Sequence, residues 1–112
     1  MIAPQDLARL LASGRFDLSH EKATQADVEL YLAAHLPLGC IVSREHRLSA
    51  RDIPDFLVAE SIVVEVKVKG AQQRAIVRQL ERYAEHRAVA AIILLTNVAM
   101  NGLAQIGGKP VL

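Results

Sequence analysis

Residues 53–69 read Ile53-Pro-Asp-Phe-Leu-Val-Ala-Glu-Ser-Ile-Val-Val-Glu-Val-Lys-Val-Lys69. Val and Ile dominate, as they do in strands, and the apolar pattern breaks at Ala59-Glu60-Ser61. This predicts a β-hairpin, with one strand over about 54–58 and another over about 62–69. In the second strand Val64, Val66 and Val68 point to one face, and Glu65, Lys67 and Lys69 to the other, because side chains alternate. A loop with an odd number of residues, such as Ala59 to Ser61, sets Asp55 opposite Glu65 and gathers Asp55, Glu65 and Lys67 on one face. An even loop separates them.

Two carboxylates facing each other across a strand pair repel and destabilise it. A divalent cation relieves the repulsion, and carboxylate oxygens are the hard ligands that Mg²⁺ prefers. A neighbouring ammonium then stabilises developing charge or orients a metal-bound water. That set of groups suits phosphodiester hydrolysis. The competing reading is an amphipathic hairpin with a solvated outer face, which also alternates Glu and Lys with Val.

Pro54-Asp55, nine residues, then Glu65-Val66-Lys67 resembles the core motif of the PD-(D/E)XK nuclease superfamily. The resemblance implies a restriction-endonuclease-like core in which Asp55, Glu65 and the Val66 backbone carbonyl bind Mg²⁺, with Mn²⁺ as a substitute, and Lys67 serves the attacking water. It also implies a Glu on the first core helix reaching the metal. The spacing Glu21-x-x-x-Gln25-x-x-Val28 resembles the helix of small phage and replication–repair members, which carries that role to Glu21 first and Glu29 second. A solvated helix face accounts for either residue equally well.

Composition bounds these readings. The chain has 112 residues, enough for one domain with a core, and 52% of them are hydrophobic, which excludes a disordered chain. Aromatic residues are 4% and Trp is absent, so stacking of bases on an aromatic platform is excluded as the main binding mode. The net charge of +1 does not single out a nucleic acid. The basic residues nevertheless cluster over 44–51 and 67–87. Arg44, Arg47, Arg51, Lys69, Arg78 and Arg82 are the candidates for DNA phosphate contacts, since the guanidinium fork suits phosphate oxygens. The single cysteine, Cys40, cannot form an internal disulfide and reads as a small buried residue. With no leader-like apolar segment and no apolar run of membrane-spanning length, a soluble, cytoplasmic protein is expected.

Along the chain, residues 1–18 hold an apolar helical patch (Leu7, Leu10, Leu11), read as a helical arm that packs on the core or on a second copy. Ser19 is the expected N-cap of a helix over about 20–35, with Val28, Leu32 and either Thr24 or Gln25 facing inward. Residues 39–48 read as a strand that fades into charge, as an edge strand does. His46 has no second His or Cys at ligand spacing and reads as a polar surface residue.

Gly70 ends the hairpin, and a helix is expected over about 72–87. Ile76, Val77, Leu80, Tyr83 and Ala84 form its inward stripe, and Arg74, Arg78 and Arg82 recur opposite. Gln79 and Tyr83, one turn apart, resemble the Gln-x-x-x-Tyr motif of RecB-like members of the superfamily, and an amide and a phenol there would orient the lysine or the DNA backbone. Tyr83 also reads simply as a core-edge aromatic. Residues 89–95 are an almost unbroken apolar run, expected as a central strand pairing parallel after a crossover. The tail, 98–112, reads as a weak helix over 100–106, then Gly107-Gly108 and a short edge strand.

The expected whole is an α/β (α+β) domain with a mixed sheet of four to five strands flanked by helices, in the order α-β-β-β-α-β. Residues 1–18 form an arm, 19–97 the core and 98–112 a tail. The expected function is a Mg²⁺-dependent deoxyribonuclease, selective for branched, flapped or single-stranded DNA, acting as a homodimer and without a membrane partner. The alternative is a nuclease-like module that only binds DNA or protein.

Overall fold

The computed structural model describes residues 2–100 and 102–112. In chain order its elements are α1 (Pro4–Ala12), α2 (Glu21–His35), β1 (Val42–Arg44), β2 (Phe56–Val58), β3 (Ile62–Lys67), α3 (Gln73–Ala84), β4 (Ala91–Thr96), β5 (Gln105–Ile106) and β6 (Lys109–Pro110). This is an α+β fold with a mixed four-stranded sheet, ordered β1-β2-β3-β4, and a separate two-stranded β5-β6 hairpin. β1, β2 and β3 run antiparallel in sequence, while β3 and β4 pair parallel across α3.

The loop between β2 and β3 is Ala59–Ser61, an odd number of residues, so Phe56 pairs with Val64 and Val58 with Ile62. Continuing that register by one residue sets Asp55 opposite Glu65. Ala59 (φ 53°) and Glu60 (φ 64°) turn the chain in the left-handed region without glycine, at a cost of roughly 1 kcal/mol per residue.

Two cores lie on opposite faces of the sheet. On one, α1 and α2 bring Leu7, Leu11, Val28 and Leu32 onto Phe56, Val58, Ile62, Val64, Val66 and Ile93. On the other, α3 brings Ile76, Leu80 and Tyr83 onto Leu57, Val63 and Ile92. The arm expected at the N-terminus therefore packs on the core of its own chain. Both Thr24 and Gln25 face inward from α2.

Five expectations change. Ser19 is not the N-cap of α2, because its N–H and hydroxyl both donate to Asp17 Oδ1 and His20 occupies the cap position. The first strand shortens to three residues and α3 ends at Ala84. The apolar run 89–95 forms β4, but β4 lies at the end of the four-strand order, not its centre. Its Ile92 and Ile93 are buried in opposite cores, and its outer edge exchanges hydrogen bonds with Leu112. A continuous apolar run thus reports two covered faces, not a central place. Finally, no helix spans 100–106 among the described residues (Asn101 lies outside them). Gly102 takes φ 67°, which interrupts a helix. Residues 105–110 instead form a hairpin turned by Gly107 and Gly108, both at positive φ.

The strained turn yields a direct test. Glu60 is exposed, so Glu60→Gly should raise the urea-unfolding free energy by about 0.5–1 kcal/mol, and Glu60→Val should lower it.

Candidate active site

The hairpin register delivers two carboxylates to one spot just before the start of β2. There each backbone serves the other strand's side chain. The Asp55 N–H donates to Glu65 Oε1 at 2.9 Å, and the Val66 N–H donates to Asp55 Oδ2 at 2.7 Å. Asp55 precedes the ladder proper, so its backbone is free to bond a side chain rather than β3. Gln25 Nε2, from α2, donates to Asp55 Oδ1 at 3.0 Å. From α3, the Tyr83 hydroxyl donates to Glu65 Oε2 at 3.2 Å. Lys67 Nζ lies 3.3 Å from the same oxygen.

This face of the hairpin is covered, not solvated. Glu65 is 1% exposed, whereas Asp55 and Lys67 are half-buried and reach the surface. The solvated-hairpin reading is therefore incompatible with the structure. Burial, reinforced by the Asp55 charge, pushes the Glu65 carboxyl up to about 7. Burial also raises Asp55, against the Val66 N–H and the Lys67 charge that lower it, and the Glu21 charge adds to the rise. Tyr83 is raised above the ordinary phenol range by burial and then by Glu65, so it remains a donor.

Glu21 and Glu29 separate cleanly. Glu21 is half-buried at the start of α2, near enough for its charge to act on Asp55. Glu29 turns outward and accepts from Arg44 Nη1 at 2.9 Å. Arg47 donates to the Ala50 carbonyl, while Arg51 and Lys69 are exposed. His46 is half-buried and Cys40 is half-buried rather than buried. Beside Lys67 a groove of about 370 Å³ runs along α3. It is lined by three cationic side chains, Lys67, Arg78 and Arg82, two amides, Gln72 and Gln79, and no carboxylate. Gln79 thus faces the groove, and Tyr83, one turn on, holds Glu65.

One cluster was not foreseen. Asp52, expected as a turn residue, is 7% exposed and accepts from Arg82 Nε and bonds His86 Nε2, each at 2.9 Å. The His86 bond, followed by the Arg82 bond and charge, holds its carboxyl below the usual range despite the opposing effect of burial. Lys109 Nζ donates to the His86 carbonyl at 2.7 Å. These partners lie 30 and 34 residues from Asp52 in sequence, so no local spacing could have announced them. The cluster ties the entry of the hairpin to α3.

Among the described residues no group of three or more His, Cys, Asp and Glu side chains is arranged to hold a metal ion. The site nevertheless fits a hydrated hard cation. It offers Asp55 Oδ1, Asp55 Oδ2 and Glu65 Oε1, each accepting one hydrogen bond and keeping a lone pair, and a buried oxygen of Gln25 with no hydrogen-bond partner. Mg²⁺ characteristically binds through one or two carboxylates and keeps several waters. Comparison with protein-family models, with curated proteins and with solved structures finds no match to this chain.

The raised Glu65 makes stability fall with pH. Unfolded Glu ionises near 4.5, and the folded side chain holds its proton to about 7, so the folded state binds more protons in that window. Folding free energy without metal should weaken by on the order of 3 kcal/mol as pH rises from 4.5 to 7, and then level off. Urea unfolding in EDTA between pH 4.5 and 8 measures this, and Glu65→Gln should remove most of the slope.

Proposed function

We propose that the protein is a divalent-cation-dependent nuclease that hydrolyses DNA phosphodiester bonds on a restriction-endonuclease-like core. The observation that carries this reading is the meeting of Asp55, Glu65 and Lys67 where the β2–β3 pairing ends. There a buried Glu65 and a half-buried Asp55 adjoin an ammonium that reaches the surface and a groove free of acid. Burying like charges side by side destabilises a fold, so such a pair points to chemistry rather than to scaffolding.

Asp55 and Glu65, with the Val66 carbonyl, would hold Mg²⁺ or Mn²⁺, which supplies an acidified water and positive charge for the phosphate. The Lys67 ammonium offsets charge building on the phosphate oxygens as the bond breaks. Tyr83 fixes the rotation of Glu65, and Glu21 orders water on the Asp55 side. The groove along α3 takes the phosphate chain, with Arg78 and the free nitrogens of Arg82 as its cations and Gln79 as a further donor. Arg44, Arg47, Arg51 and Lys69 extend the positive surface for the rest of the substrate.

Contacts of this kind carry no base sequence, so selection rests on DNA shape, favouring branched, flapped or single-stranded substrates. A two-fold dimer would give two such sites for two strands. The exposed Leu38 and Ile41 beside the β1 edge are the apolar surface a second copy would cover. No helix among the described residues is long and apolar enough to cross a membrane.

Labelled linear, single-stranded, flapped and four-way-junction DNA incubated with the protein in Mg²⁺, Mn²⁺ or EDTA tests the proposal. Asp55→Ala, Glu65→Ala and Lys67→Ala should each reduce metal-dependent cleavage at least about a hundredfold. Binding that persists in EDTA, with no cleavage in either metal, would identify a binding module instead.

The groove has its own test. Arg78→Glu should weaken binding of every DNA sequence alike and lower the slope of log affinity against log salt by about 1. Arg87→Glu, outside the groove, should do neither.

A further inference from the structure

Gln25 is conspicuous on α2 for its chemistry and its cost. It is 4% exposed and shares the buried positions of the helix with Val28 and Leu32. An apolar side chain of similar length would pack there with no polar atom to satisfy. One end of its amide is satisfied, since Nε2 donates to Asp55 Oδ1 at 3.0 Å. The other is not: Oε1 is buried and accepts no hydrogen bond from the described residues. A buried acceptor left unpaired forfeits its hydration without return. The fold alone gives no reason for an amide here.

Its neighbour sets which way the amide faces. Asp55 Oδ2 receives the Val66 N–H, and Oδ1 faces Gln25. A carboxylate presents only acceptors, so the amide must turn its NH₂ to Asp55 and its oxygen away. The oxygen of an amide lies roughly 2.2 Å from its nitrogen. Adding the 3.0 Å hydrogen bond keeps Oε1 within roughly 5.2 Å of Asp55 Oδ1. One water hydrogen-bonded to both oxygens spans that distance, at about 2.8 Å for each bond. The carboxylates alone form a short ligand set, and a hard cation held by two of them carries waters that need acceptors.

We infer that Gln25 is a positioning residue of a hydrated divalent-cation site. Nε2 fixes the rotation of Asp55, and Oε1 accepts a hydrogen bond from a water that the cation carries. The inference rests on the reading of Asp55 and Glu65 as metal ligands, and it extends the site from the hairpin onto α2. The same oxygen would also suit an interior water unrelated to any cation, and affinity for metal separates the two.

The test is Mn²⁺ binding by isothermal titration calorimetry on wild type, Gln25→Leu and Gln25→Glu, without DNA, beside urea unfolding in EDTA. Gln25→Leu should lose at least about tenfold in Mn²⁺ affinity, the usual scale for a partner that orients metal ligands. Its unfolding midpoint in EDTA should stay near that of wild type, because the unpaired Oε1 and the Nε2 bond to Asp55 Oδ1 are lost together. Gln25→Glu, which keeps an oxygen in place, should bind Mn²⁺ more tightly than Gln25→Leu. Should Gln25→Leu not fold, Gln25→Met takes its place with the same expectation. Wild-type affinity in Gln25→Leu, with or without a fall in its unfolding midpoint, would overturn the role of Gln25 and leave the carboxylate site standing. No Mn²⁺ binding by wild type would overturn both.

Discussion

The pair of hydrogen bonds between Asp55 and the strand opposite it is the constraint on which the site depends. The Asp55 N–H holds Glu65, and the Val66 N–H holds Asp55. Each carboxylate is thereby fixed by the backbone that carries, or adjoins, the other. Charge-assisted bonds of this kind are worth about 1.5–3 kcal/mol, enough to offset part of the repulsion between two acids and of the desolvation of Glu65. They also explain why the hairpin register cannot slip. A shift of one residue sends Glu65 to the opposite face and leaves two backbone donors unpaired.

Around that lock the two cores play different parts. α1 and α2 complete an apolar face, with Gln25 as the sole buried amide among the described residues. α3 covers the other face, and through Tyr83 it lays a phenol against Glu65. The Asp52–Arg82–His86 cluster then clamps α3 to the entry of the hairpin, three residues before Asp55. Arg82 joins clamp and groove, since it pairs with Asp52 and lines the cavity beside Lys67. The helix bearing the basic groove is therefore held in register with the carboxylates by an interaction outside the site.

What was legible in the sequence divides along the range of the interactions. Alternation along 62–68 and the odd loop at 59–61 were enough to bring Asp55, Glu65 and Lys67 together, because period and parity are local properties. The inward stripe of α3 was legible for the same reason. Glu21 ranks before Glu29 by resemblance alone, since both lie on one helical line. In the structure Arg44, 15 residues away, pairs with Glu29. The Asp52 cluster was not legible, since its partners meet only when α3 docks. The tail failed differently. A weak apolar period over 100–106 suggested a helix, but Gly102 and the Gly107-Gly108 pair favour turns, and backbone freedom outweighed the pattern.

The costs in this small protein are unevenly placed, and their distribution is itself an argument. Ala59 and Glu60 are strained in a turn remote from the site, where the exacting requirement is the parity of the loop. The other costs, a buried Glu65 and an unpaired Gln25 oxygen, belong to side chains that both bond Asp55. A chain of 112 residues has a narrow margin of stability to spend. Glu65 to Gln would relieve a burden without changing the backbone. Side chains that violate the local rules of burial at one place, in a sheet that otherwise obeys them, are best understood by the ligand that would satisfy them together. On the proposed reading a hydrated cation would do so: it would neutralise the carboxylate pair and supply the donor that the amide oxygen lacks.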